Sequence, residues 1–135
     1  MTEVVRCAVL GLGRLGYYHA KNLKTEVPGV LLAAVADPAE GSAREVAAEL
    51  GVEKWFEDPF ECLRDPEIDA VVIVTPTSTH AEMIKQAAEF GKQIFVEKPL
   101  TLNLEESIEV ISKVKEMGVI CQVGFMRRFD PAYAD

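Results

Sequence analysis

Basic charge is scarce in this chain. Lys and Arg number 14 against 22 Asp and Glu over 135 residues, a formal charge of −8. Non-specific nucleic-acid binding needs a basic face, and attraction to anionic lipid needs polybasic segments. Neither composition is here, so neither nucleic acid nor membrane is an expected partner. Long apolar runs are also missing. The longest, Val30 to Ala36, has seven residues, where a membrane span needs about 20. Met1-Thr2-Glu3-Val4 shows no basic segment leading into an apolar block, so no secretory signal is read at the start. Cysteines number three (Cys7, Cys62, Cys121), widely spaced and with no CxxC. That pattern suits reduced, mostly buried thiols in a cytoplasmic protein better than a disulfide framework or a zinc site. Two histidines, His19 and His80, stand in no metal-ligand spacing. Aromatics are 7% of the chain, yet apolar residues make up 49%, enough for a packed core in one ordinary domain.

What is present is alternation. Val4–Leu10, Val30–Ala36, Ala70–Val74, Gln93–Val96 and Val119–Val123 are strand-length and nearly continuous in apolar residues. Continuous runs suit strands covered on both faces, as in a parallel sheet. Lys54-Trp55-Phe56 reads as a short further strand and Pro59 to Arg64 as a short helix. Between the strands lie helical periods: Ala81, Ile84 and Ala88 form one stripe, and Leu104, Ile108, Ile111 and Val114 another. Thr79-x-x-Glu82 and Asn103-x-x-Glu106 resemble capping boxes. Gly51, Gly91 and Gly118 stand where helices end in a left-handed residue. Strand alternating with helix means an open α/β sheet.

The first strand runs straight into Gly11-Leu12-Gly13-Arg14-Leu15-Gly16. In a dinucleotide loop the first glycine makes the tight turn and the second admits a diphosphate to the backbone. The third lets the helix pack on the strand. Free N–H groups and the positive end of the helix dipole then face the anion. Asp37 follows Gly16 by 21 residues, at the end of the next strand, where a carboxylate accepts from the adenosine ribose hydroxyls. It also reads as a helix N-cap before Pro38. A 2′-phosphate would meet this carboxylate unfavourably, and Pro38, Ala39 and Glu40 supply no cation. NAD is therefore preferred over NADP.

Ligands of open parallel sheets lie across the carboxyl ends of the strands. There the chain offers Thr75-Pro76-Thr77-Ser78-Thr79-His80, Glu97-Lys98-Pro99 and Gly124-Phe125-Met126-Arg127-Arg128. Hydroxyls beside a helix start can touch a cofactor, although a turn and cap explain them as well. Lys98, projecting over the cleft, can hydrogen-bond a substrate hydroxyl and join proton transfer; a solvated strand-end lysine is the plainer alternative. His19, inside the first helix, reads as a packed side chain.

Taken in order and spacing, these motifs resemble the N-terminal domain of the glucose–fructose oxidoreductase / inositol dehydrogenase / MocA family, nearest its inositol 2-dehydrogenase branch. The carriers are Gly11 to Gly16 with His19, Asp37, Asp69 to Pro76, His80, Glu97-Lys98-Pro99 and Gly124 to Arg128. The resemblance implies a doubly wound, mostly parallel Rossmann sheet of about six strands with helices on both faces. It implies cofactor contacts from Gly11, Leu12, Gly13, Arg14, Leu15, Gly16, Asp37, Thr75, Pro76, His80 and Glu97, the last on the nicotinamide ribose. Lys98 would be catalytic, the Lys98–Pro99 bond is often cis, and Met126 and Arg127 would border a polyol substrate. The implied reaction moves a hydride between nicotinamide and a sugar or cyclitol hydroxyl carbon. Family members continue into a second domain with most substrate contacts and a downstream Asp and His. Residues 1–135 are thus expected to be a cofactor domain lacking that substrate and oligomerisation domain, inactive alone, and a monomer or weak homodimer where the full-length form is a homo-oligomer. A stand-alone dinucleotide-binding or redox-sensing module without catalysis is the competing expectation.

Overall fold

The computed structural model describes residues 4–124. Six strands, β1 (Val5–Leu10), β2 (Val30–Ala36), β3 (Lys54–Phe56), β4 (Ala70–Ile73), β5 (Gln93–Glu97) and β6 (Cys121–Gly124), form one sheet in the order β3-β2-β1-β4-β5-β6. Every pairing is parallel. The expected doubly wound sheet is present, and it is wholly rather than mostly parallel. Helices α1 (Arg14–Thr25), α2 (Ser42–Leu50), α3 (Pro59–Leu63), α4 (Thr77–Glu89) and α5 (Leu104–Met117) fill the crossovers.

The continuous apolar runs follow from this layering. Along a strand, side chains alternate between faces. Ala8, Leu10, Val71, Ile73, Ile94 and Val96 enter a core shared with α3, α4 and α5. Their neighbours Val9, Val35 and Val72 enter the core under α1 and α2. Neither face meets water, so neither parity can be polar. In β2 the phase slips once: Cys7 pairs with Leu32 and Ala8 with Ala34, leaving Ala33 as an extra residue. That bulge lets Leu32 face one core and both Ala33 and Ala34 the other.

Helix ends correct three sequence readings. The Thr79-x-x-Glu82 box does not form: α4 starts earlier, at Thr77 behind Pro76, and the Thr79 hydroxyl donates back to the Pro76 carbonyl. Proline favours an early start because it has no N–H to leave unpaired. The Asn103 box forms with its reach displaced, since Asn103 Oδ1 accepts from the Glu106 amide while Glu106 accepts from Leu102. Asp37 caps no helix. Its Oδ1 accepts from the Ala39 amide in a local turn, and α2 begins behind Gly41.

The stripe read on α5 is also displaced. Leu104, Ile108 and Ile111 are exposed, whereas Val110 is buried and Val114 partly so. α5 packs chiefly on α4, so only one edge of its wide apolar surface is covered. The Ala81, Ile84 and Ala88 stripe of α4 is buried as expected. Gly51, Gly91 and Gly118 all take positive φ.

The three cysteines are free thiols. Burial pushes Cys62 up to about 12 and raises Cys7 and Cys121 as well. Thiolate is the reactive form. The native chain at pH 8 should therefore show no thiol reacting with Ellman's reagent within minutes, and all three should react in guanidinium. A fast native thiol would refute this.

Candidate functional site

Strand register builds the site. Leu10 pairs with Ala36 on one side and Ile73 on the other, Ile73 pairs with Val96, and Glu97 with Gly124. The next residues, Gly11, Asp37, Val74 and Glu97, therefore form one row along the carboxyl edge. Backbone bonds carry the ladder into that row: Gly11 N–H to Ala36 O at 2.8 Å, Asp37 N–H to Phe56 O at 3.1 Å and Val74 N–H to Leu10 O at 2.8 Å.

At Gly11 the chain turns away from the sheet with φ +97°, and a side chain there would strike the Val74 carbonyl at 2.7 Å. Gly16 lies so close above this turn that a Cβ would sit 1.8 Å from the Gly11 carbonyl oxygen. Gly13 is different. It begins α1 with ordinary extended backbone and no side-chain cap, and a Cβ on it would meet nothing within 4 Å. Its missing side chain therefore leaves open space in front of the helix. Tyr17 N–H to Gly13 O, 2.9 Å, closes the first helical turn, so the amides of Arg14, Leu15 and Gly16 precede it, aimed into that space at the positive end of α1. A cradle of bare amides that a Cβ would fill fits a diphosphate.

Asp37 is tied to the cradle. Its Oδ2 accepts from the Leu12 amide at 2.6 Å, which leaves lone pairs on both oxygens for further donors. Leu12 itself contributes through this amide; its side chain is in the core.

On the other side of β1 a cavity of about 310 Å³ is lined by Gly13 to Gly16, Val74, Thr75, Thr77, His80, Glu97 and Lys98. This brings together residues from three separate motifs of the sequence. Lys98 is exposed. Its backbone is pinned by an N–H donated to Gly124 O at 3.0 Å, and the Lys98–Pro99 peptide is cis. Glu97 is buried. Pro76 lies outside the lining, exposed at the start of α4. His80, though it touches the cavity, is 2% exposed with both ring nitrogens on main-chain carbonyls: Nδ1 at 2.9 Å from Pro99 and 3.1 Å from Leu100, Nε2 at 2.9 Å from Thr75. Its place is between the two loops rather than in the cleft. Met126 and Arg127 lie outside the described residues.

The sequence reading missed His19. It is no inert core residue: Nε2 meets Glu97 Oε2 at 2.7 Å, and the ring stands edge-on to Phe95. The available signal was spacing, because His19 follows Gly16 by one helical turn and so shares its sheet-facing side. Among the described residues, no group of three or more His, Cys, Asp or Glu is placed to hold a metal, and no helix is long and apolar enough to cross a membrane.

A family model described as "Oxidoreductase family, NAD-binding Rossmann fold" matches residues 5–125. The chain is 74% identical over all its 135 residues to the scyllo-inositol 2-dehydrogenase (NAD(+)) of Bacillus subtilis, covering 40% of that protein. It is 44% identical to the myo-inositol 2-dehydrogenase of Thermotoga maritima over 93% of the chain and 37% of that protein. Among solved structures, the scyllo-inositol dehydrogenase of Lactobacillus casei with bound NAD(H) and scyllo-inositol superposes with a TM-score of 0.90. Its identity is 35%, over 98% of this chain and 39% of that one. The chain thus spans about two fifths of the length of these relatives.

Proposed function

The chain belongs to this oxidoreductase family with an NAD-binding Rossmann fold, and from that premise we propose that it is the cofactor domain of an NAD-dependent dehydrogenase acting on a hydroxyl carbon of a cyclitol or related sugar. The observation that carries the reading is Lys98 in the same cavity as the glycine-loop amides. A module that only binds dinucleotide has no use for an ammonium at that end of the cleft. Redox sensing through cysteine has no support either, since all three thiols are raised by burial; they suit the reducing cytoplasm.

Each residue has a task set by its position. The amides of Gly13 to Gly16 hold the diphosphate. Asp37, over β2, accepts from the adenosine ribose. The remainder of the dinucleotide then extends across β1 toward β4 and β5, past Thr75 to Glu97, whose carboxylate accepts from the second ribose. Bound nicotinamide supplies the hydride acceptor or donor. Lys98 donates a hydrogen bond to the substrate hydroxyl and, as its proton leaves, to the developing alkoxide. Met126 and Arg127 border the substrate. The residue that takes the hydroxyl proton belongs to a second domain outside residues 1–135, which also carries most substrate contacts and the homo-oligomer interface.

Titration with NADH, followed by nicotinamide fluorescence, should saturate. NADPH should bind about tenfold more weakly or worse because its 2′-phosphate meets Asp37, and Asp37→Ser should narrow that gap. No saturable NADH binding at millimolar concentration would overturn the reading. Mixed with NAD and myo- or scyllo-inositol, residues 1–135 should produce no NADH above background; brisk turnover would show that the base is misplaced.

A further inference from the structure

We propose that His19 is a positioning residue: it holds the Glu97 carboxylate in place for the ribose on the far side of the diphosphate. This rests on the functional reading above and deepens it. Glu97 is the β5 member of the edge row, two strands from the glycine turn on the side away from Asp37. Asp37 is fixed by two backbone amides, those of Leu12 and Ala39. Glu97 has one more rotatable bond than an aspartate, and among the described residues no backbone amide holds it. His19 supplies the constraint, its Nε2 donating to Oε2 at 2.7 Å. Oε1 makes no protein hydrogen bond among the described residues, so it remains an acceptor for a ribose hydroxyl.

The imidazole is itself held. It stands at 65° to the Phe95 ring with centroids 5.9 Å apart, an edge-on contact. Its backbone belongs to α1, the helix whose start forms the cradle. One rigid element thus sets both the diphosphate seat and the second ribose acceptor, so their separation is fixed before ligand arrives. Preorganisation of this kind reduces the ordering cost of binding.

Calorimetric titration with NADH and with ADP tests this, because ADP ends at the diphosphate and never reaches Glu97. His19→Ala should weaken NADH about tenfold, the loss expected for one charge-assisted hydrogen bond, while ADP changes less than about twofold. His19→Gln places an amide N–H near the same point and should recover most of the NADH affinity. Unchanged ADP binding also shows that the variant folds. NADH binding that is unchanged in His19→Ala, or lost in step with ADP, overturns the proposal. A wild-type chain that binds ADP but not NADH instead overturns the functional reading on which it rests.

Discussion

Replacing Gly16 with alanine should abolish NADH binding and lower the melting temperature together, whereas replacing Gly13 with alanine should abolish binding alone. The two glycines share a motif but not a reason. A Cβ on Gly16 would sit 1.8 Å from the Gly11 carbonyl oxygen and 2.8 Å from its carbon. Both are backbone, in a turn already at φ +97° and itself hard against Val74 and Thr75. The turn must move by roughly 1 Å, and misplacement on that scale is enough to cost a site about two orders of magnitude. Overpacking of this kind destabilises by about 1–3 kcal/mol or more. At Gly13 the backbone is ordinary and a Cβ meets no protein atom within 4 Å. The methyl group would collide only with whatever the amides hold. Thermal unfolding paired with NADH titration separates the cases. If Gly16→Ala melts and binds like wild type, the turn is not the seat of the diphosphate. If Gly13→Ala binds NADH normally, the open space before α1 is not where that group lies.

Gly11 and Gly16 were legible in the sequence because a positive φ at the first and a close approach at the second each exclude a side chain, and exclusion leaves a mark at fixed spacing. The sheet was legible for a related reason. Two covered faces make both parities of a strand apolar, which a chain with one wet face would not show. Less visible was anything set by approach between distant segments. His19 and Glu97 are 78 positions apart, and only the reach of the His19 side chain from α1 to Glu97 and Phe95 joins them. Lys92 is another such case. It is buried, its Nζ donating at 2.6 Å to the carbonyls of Asp65 and Ile68, 27 and 24 positions away. The α5 stripe misled because periodicity reports which helix face is apolar without reporting how much of it a neighbour covers. The start of α4 misled because Thr79-x-x-Glu82 has the residues of a capping box, whereas the helix begins at Thr77 behind Pro76 with no side-chain cap.

Replacing His80 with leucine should cost the fold about 1–3 kcal/mol, the loss expected when a buried hydrogen-bonded group is left without its partner. Leucine nearly fills the volume, so the loss is not that of a cavity. It comes from the main-chain carbonyls of Thr75, Pro99 and Leu100, which lie 2.9 to 3.1 Å from the two ring nitrogens, the side facing the ring N–H losing its donor. The side chain is 2% exposed, so water does not replace it. Thr79 provides the contrast. Its hydroxyl also bonds a carbonyl, Pro76 at 2.6 Å, but it is half-buried, and Thr79→Ala should cost less than about 1 kcal/mol because solvent can take its place. Urea unfolding reads both. A shift of that size is a large share of a domain's usual stability of about 5–15 kcal/mol. The carbonyls beside His80 belong to the turn after β4 and the loop after Lys98, two of the segments that border the cavity over the strand ends. His80→Gln keeps an amide N–H donor on a different side-chain geometry and should fall between wild type and the leucine variant in both urea midpoint and NADH affinity. An unmoved midpoint for His80→Leu would mean that those carbonyls find other donors and that the imidazole does not join the two loops.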